Sequence, residues 1–254
     1  MPPKKVNWKR IRAANARHAT QTRVEAHRKQ GGGCSGMIRE IEPMPDQRKH
    51  RKFDRNGIID MDDHSHSDER IIVECSDACG CSRTCPNRQA QQGKSKNLTV
   101  VHLKDVRGCG LEAAEPIKKG DLIGEYVGEA LVMKEVAGDN GEIIYDTGKE
   151  TSYEASTCVM QGKIAINSLD IGNVLRFLSH ACEPSAAFVE CHSRKSEGET
   201  LIPRIVVIAL QDIAVGESVT ISYYDPEDMK NRRGIRCLCK PACQNFLPCS
   251  YVDD

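Results

Sequence analysis

The sequence has no apolar run long enough to cross a membrane as a helix, and no signal-type apolar core follows the initiator Met. Neither a helical span nor export is expected, and intracellular residence is the default. Net charge is also missing, because 36 Lys and Arg offset 36 Asp and Glu. No internal repeat is present, which argues against a solenoid or propeller. Helical patterns are scarce: only Leu131–Ala137 and Ile171–Leu178 read as helix, and both are short. What remains is 254 residues, 39% hydrophobic and 28% charged, enough for one substantial domain with extensions or two small ones.

The zero net charge conceals an asymmetry. Residues 1–30 carry nine Lys or Arg against one acid, Glu25, and a second basic run is Arg48-Lys49-His50-Arg51-Lys52. Such runs suit nuclear targeting or nucleic-acid contact, and they also suit a solvated, partly helical arm. The remainder of the chain is acidic by difference, which favours a cationic peptide substrate. Gly31-Gly32-Gly33 ends the arm as a flexible joint. Residues 34–70 are polar and irregular, with Pro43, Pro45 and an acidic-histidine patch, Asp62-Asp63-His64-Ser65-His66.

From Ile71 the texture changes. Short runs rich in Val and Ile, separated by Gly and Pro turns, read as strands: Leu98–Leu103, Leu122–Val127, Ile164–Ile166, Ile205–Leu210 and Val219–Tyr224. Asp139-Asn140-Gly141 and Gln161-Gly162 are turn candidates. The expected fold is mostly β with short helices.

Thirteen cysteines in a reducing compartment read first as metal ligands rather than as a disulfide framework. Cys75, Cys79, Cys81 and Cys85 form C-x3-C-x-C-x3-C, a pattern dense enough for bridging thiolates or a compact zinc site. Its usual second half is absent, since only Cys34 lies upstream. His64 and His66 are candidate extra ligands or an exposed patch. A second group, Cys237, Cys239 and Cys243, needs a fourth ligand to complete a tetrahedron. Cys182, 55 positions before Cys237, is one candidate, and Cys249 is the competitor closer in sequence. If Cys182 supplies the ligand, the metal pins the tail onto the loop carrying His180.

Read in order, the chain offers the cysteine group ending in Asn87-Arg88, then Gly108-Cys109-Gly110, then Glu125-Tyr126-Val127-Gly128-Glu129. There follow Gly172-Asn173-x-x-Arg176-Phe177-x-x-His180-x-Cys182-x-Pro184, Gly216-Glu217, Tyr223, and the Cys-x-Cys tail. This order resembles the SET-domain protein lysine methyltransferases with flanking pre-SET and post-SET zinc modules, over about residues 71–249. The segments around Cys182 and Phe246-Leu247-Pro248 look most like the heterochromatin-forming branch that methylates histone H3.

The resemblance implies several small curved β-sheets around a knot-like C-terminal segment. It divides the chain into a basic arm (1–33), a polar linker (34–70), a truncated pre-SET cluster (71–92), a SET domain (97–226) and a post-SET module (233–249). It implies S-adenosylmethionine as methyl donor, Zn2+ as structural metal, a histone H3 tail as partner, with lysine nine favoured by branch, and a place in the nucleus on chromosomes. Tyr223 and His180 would take the catalytic positions. Gly108, Cys109, Gly110, Tyr153, Arg176, Ser179 and His180 would meet the cofactor. Cys182, Cys237, Cys239 and Cys243 would hold zinc in the tail, and Cys75, Cys79, Cys81 and Cys85 upstream. Departures from the family pattern fall at Cys109, Asn167, Ser179, Ala181, Ser185, Ile221 and Ser222. They leave two alternatives to a histone methyltransferase: a weak or inactive chromatin-binding module, and an enzyme acting on a non-histone lysine.

Overall fold

The computed structural model describes residues 52–61, 71–103, 108–137, 143–146, 154–156, 164–196, 198–199, 203–223 and 234–248. Within them lie fifteen strands. They begin with β1 (Ile71–Val73), β2 (Leu98–Leu103), β3 (Gly108–Ala113), β4 (Leu122–Tyr126) and β5 (Glu129–Val132). Next come β6 (Lys134–Ala137), β7 (Ile143–Asp146), β8 (Glu154–Ser156), β9 (Ile164–Asn167) and β10 (Ser179–His180). The last are β11 (Ala186–His192), β12 (Arg204–Ala209), β13 (Ser218–Ile221), β14 (Gly234–Arg236) and β15 (Phe246–Pro248). Among the described residues no helix is long and apolar enough to cross a membrane.

The strands pair into small sheets. Two have four strands, ordered β1-β11-β12-β4 and β10-β13-β3-β2. The others are β5-β9-β8, β6-β7 and β14-β15. β12 lies between β11 and β4, and from Ile205 to Ala209 every residue is buried. A strand covered on both faces must be apolar throughout, which is why Ile205-Val206-Val207-Ile208-Ala209 is a continuous run rather than an alternating one. The main core joins Leu111, Ile123, Tyr126, Leu175, Leu178, Val207, Val219 and Ile221. Tyr126 packs its ring at 4.9 Å from that of Phe188.

Two expected helices are not formed. Leu131–Ala137 is split between the end of β5, paired with β9, and β6, paired with β7. Tertiary pairing overrides the short apolar pattern, and Val132 and Val136 suit a pleated strand. Ile171–Leu178 shrinks to a 3-10 turn over Val174–Phe177. Asn173 caps that turn by accepting the Leu175 N–H at 3.2 Å. The turn does not extend backward because its cap, Asn173, has extended backbone, with φ −104° and ψ −172°.

Residues 52–61 hold no helix or named strand, yet they belong to the core. Phe53 and Ile59 are buried beside Ile72, Leu122, Val206 and Ile208. The Ile59 N–H donates to the Gly120 carbonyl at 3.0 Å. Gly120 has φ 82°, and a Cβ there would lie 2.3 Å from the Ile59 carbonyl oxygen, so the contact requires glycine. The two turn candidates Asp139-Asn140-Gly141 and Gln161-Gly162 lie outside the described residues.

Candidate active site and metal centres

The sheet β10-β13-β3-β2 positions the site. β10 runs parallel to β13, with Ser179 opposite Thr220 and His180 opposite Ile221. β3 pairs with the other side of β13, Ser218 opposite Glu112 and Val219 opposite Leu111. Segments 70 residues apart in sequence thus meet across one strand. Between β10 and β13 the chain leaves to build β11 and β12 in the other four-stranded sheet, then returns.

Tyr223 stands two residues beyond β13 with 47% of its surface exposed. Its hydroxyl donates to the Leu178 carbonyl at 2.6 Å, and its backbone N–H donates to His180 Nδ1 at 3.1 Å. The two rings lie 5.4 Å apart. Because Nδ1 accepts, the proton of a neutral imidazole sits on Nε2, 3.5 Å from Cys182 Sγ. Burial pushes the His180 pKa down, which favours that neutral form.

Cys182, Cys237, Cys239 and Cys243 converge, with all four sulfurs within 4.8 Å of one another. Cys182 Sγ is 3.7 Å from both Cys237 Sγ and Cys243 Sγ. The chain forms this nest by turning through Lys240–Cys243, where the Cys243 N–H donates to the Lys240 carbonyl at 3.0 Å. The Cys237 N–H donates to the Asn245 carbonyl at 2.9 Å, and Asn245 Nδ2 donates to Cys182 Sγ at 3.2 Å. Burial pushes the Cys237 thiol up to about 12, while the Asn245 N–H holds the Cys243 thiol below its usual value. Four convergent thiols, with N–H donors aimed at Cys182, are a donor set suited to tetrahedral zinc. Cys249, the competing ligand, lies outside the described residues.

Upstream, Cys75, Cys81 and Cys85 converge, and Cys79 is exposed and outside their group. Burial raises the Cys75 thiol to about 12, and the Arg88 guanidinium lowers that of Cys81. Arg176 donates from Nη2 to the Leu169 carbonyl at 2.5 Å and lies 5.8 Å over the Phe177 ring, so it fastens the preceding loop. Gly108, Cys109 and Gly110 open β3, with Cys109 exposed. Ser179 is half-buried on β10. Tyr153, His64, His66 and Cys34 lie outside the described residues.

Several residues named in the sequence have structural roles that the sequence did not assign them. Asn173 Nδ2 donates to the Glu125 carbonyl at 2.6 Å, tying β4 to the turn that carries Arg176. An Asn before an apolar turn is a capping signal that could have revealed it. Ser185 is buried; its Oγ donates to the Ser218 carbonyl at 3.1 Å and accepts from the Thr220 N–H at 3.0 Å. Asn167 Oδ1 accepts from the Leu169 N–H at 2.8 Å, a turn bond that Asp or Asn can make equally. Ser185 and Asn167, both departures from the family pattern, therefore hold the local backbone in place.

Residues 108–224 match the family model of the SET domain. The histone-lysine N-methyltransferase Su(var)3-9 of Drosophila pseudoobscura is 25% identical over 185 residues, covering 69% of this chain and 29% of the relative. The chain thus spans less than a third of that relative's length. The probable histone-lysine N-methyltransferase set-23 of Caenorhabditis elegans is 28% identical over 232 residues, covering 89% of this chain and 86% of the relative. The crystal structure of KRYPTONITE in complex with mCHH DNA, H3(1-15) peptide and SAH superposes with a TM-score of 0.52 at 23% identity, covering 69% of this chain and 34% of that one. That likeness concerns the fold. Residues 108–224 of this chain carry a SET domain, and its relatives include histone-lysine N-methyltransferases of the Su(var)3-9 type.

Proposed function

We propose that the chain is an S-adenosylmethionine-dependent protein lysine N-methyltransferase acting on the histone H3 tail, with lysine nine the favoured target by branch. The observation that carries this reading is Tyr223, held at both its hydroxyl and its amide beside His180, at the end of the strand between Gly108–Gly110 and Ser179–His180. S-adenosylmethionine, when bound, supplies an electrophilic methyl group on a sulfonium centre.

The residues present fit such a ligand: a half-exposed phenol at Tyr223, a half-buried polar Ser179 on β10 and the exposed Cys109 on β3 all belong to one four-stranded sheet or the chain just beyond it. Gly108, Cys109, Gly110, Ser179 and His180 are the proposed cofactor contacts, with Arg176 fastening the loop beside them. With its proton committed to the Leu178 carbonyl, the Tyr223 oxygen is oriented to accept an N–H from an arriving lysine. The lysine must react as the neutral amine, and desolvation beside a cation favours that form. Beyond this the site contributes positioning, worth up to about 7–11 kcal/mol in favourable cases.

The zinc centre at Cys182, Cys237, Cys239 and Cys243 would pin residues 234–248 against the His180 strand and so wall the site. Chromatin is the proposed partner and the nucleus the proposed location. The basic arm is assigned to nucleic acid, by its charge and by analogy with a relative solved with DNA. The domain limits 71–92, 97–226 and 233–249 are proposed on the same basis.

The test is transfer of labelled methyl groups to H3 tail peptides carrying single Lys→Arg replacements. Label lost only with the lysine-nine replacement supports the assignment. Label retained there and lost at another lysine corrects the target, and label on non-histone nuclear proteins alone rejects the histone reading.

A further inference from the structure

Ser185 sits where the chain passes from one four-stranded sheet to the other. His180 ends β10 in the first sheet, and Ala186 begins β11 in the second. The Ser185 carbonyl accepts the Leu210 N–H at 2.9 Å, just past the end of β12. Its amide and hydroxyl bond instead to β13, the strand that leads into Tyr223. One small residue, 4% exposed, therefore fastens both sheets.

The bonds to β13 are reciprocal. The Ser185 N–H donates to Thr220 Oγ1 at 3.2 Å, and the Thr220 N–H donates to Ser185 Oγ at 3.0 Å. Ser185 Oγ also donates to the Ser218 carbonyl at 3.1 Å, and the two hydroxyl oxygens lie 3.4 Å apart. With the Ser185 proton on the Ser218 carbonyl, the hydroxyl contact is donated by Thr220. Each hydroxyl satisfies the backbone N–H of the other residue, so removing either one leaves an amide without its acceptor.

The clasp grips β13 where its pairing changes sides. β13 meets β3 at Ser218 and Val219, and it meets β10 at Thr220 and Ile221. The Ile221 carbonyl also accepts the Ala181 N–H at 2.9 Å, so segment 181–185 is joined to β13 at both ends. A displacement of Thr220 is carried through Ile221 and Ser222 to Tyr223. The Tyr223 amide must reach His180 Nδ1, and its hydroxyl must reach the Leu178 carbonyl. We propose that Ser185 and Thr220 are positioning residues for methyl transfer, whose reciprocal clasp fixes where Tyr223 stands relative to His180 and Leu178. The proposal rests on the reading of Tyr223 as the catalytic tyrosine. Misplacing a reacting group by about 1 Å can cost about 10²-fold in rate, so the clasp acts on turnover rather than on ligand binding.

The experiment compares Thr220→Val, Ser185→Ala, the double variant and Thr220→Ser in the full chain. Turnover is expressed per cofactor-binding site, counted by calorimetric titration, so that unfolded protein does not register as lost kcat. Thr220→Val and Ser185→Ala should each lower kcat by about 3–10-fold. Peptide KM and cofactor Kd should stay within about twofold of the wild type. The double variant should lose no more than the worse single one, because either change opens the same clasp. Thr220→Ser keeps the hydroxyl and should recover most of the turnover. Nitrogen NMR of His180 supplies a readout that needs no methyl transfer: the Nδ1 resonance should move in Thr220→Val and stay in place in Thr220→Ser. Unchanged kcat, a loss confined to KM, additive losses, equal losses in Thr220→Ser and Thr220→Val, or an unmoved Nδ1 resonance would overturn the proposal. A wild type that transfers no methyl group, with Nδ1 moving as expected, rejects the methyltransferase reading and supports the clasp as the hold on Tyr223.

Discussion

His180 accepts the Tyr223 backbone N–H on Nδ1 at 3.1 Å, and through its other nitrogen it faces Cys182 Sγ at 3.5 Å. One imidazole therefore links the proposed catalytic tyrosine to a proposed metal ligand. Replacing His180 by Ala removes the acceptor of the Tyr223 amide. A hydrogen bond of this kind is worth about 0.5–1.5 kcal/mol, so turnover should fall by up to about tenfold. Steady-state kcat, beside a cofactor-binding titration, measures it; a change confined to cofactor affinity would place His180 in binding alone.

The same link has a pH signature. Burial lowers the His180 pKa in the folded protein from its ordinary 6.5. The unfolded chain then binds more protons through the window below 6.5, so this group's contribution falls as the pH falls and is fully restored above it. Nitrogen NMR should find His180 neutral with its proton on Nε2 at pH 6.5. A charged ring at that pH would contradict the geometry.

Cys182→Ser should cost the tail its zinc and expose residues 234–248 to protease. Native mass and limited proteolysis report both effects, and Cys249→Ser should show neither. A zinc lost from Cys249→Ser instead would move the fourth ligand to the alternative that the sequence also allows.

Phe53→Ala should destabilise the fold by about 3–5 kcal/mol in urea titration, because it removes a buried ring packed among Ile72, Val189 and Ile208. An effect under about 1 kcal/mol would mean that residues 52–61 are not part of the folding unit.

Ile221 is 3% exposed and lies opposite His180. By the family resemblance, the position two residues before Tyr223 would set how many methyl groups are added, and an apolar residue there would leave room for successive ones. Di- and trimethylated product is expected from the wild type, with Ile221→Tyr shifting the distribution toward monomethylation by mass spectrometry.

How much of this was legible in the sequence depends on the element. Leu98–Leu103 is a strand with the expected bounds, and the apolar run after Arg204 is the buried strand β12, because β-branched runs between turn residues have few other uses. Ligand number showed that the tail needs a fourth ligand but left Cys182 and Cys249 both open, and the structure brings Cys182 to the tail sulfurs. Residues 52–61 were not readable, since Phe53 and the Ile58-Ile59 pair sit among charged and polar residues and show no period. β10 has only two residues, too few for any pattern, although its pairing with β13 positions His180.

The most direct test of the account is labelled-methyl transfer to an H3 tail peptide by the wild type and by Tyr223→Phe. The account predicts transfer by the wild type and a loss of about 10²-fold or more in the variant, with zinc content and cofactor binding retained. Equal transfer by both proteins would contradict the assignment of Tyr223 at the centre of the site.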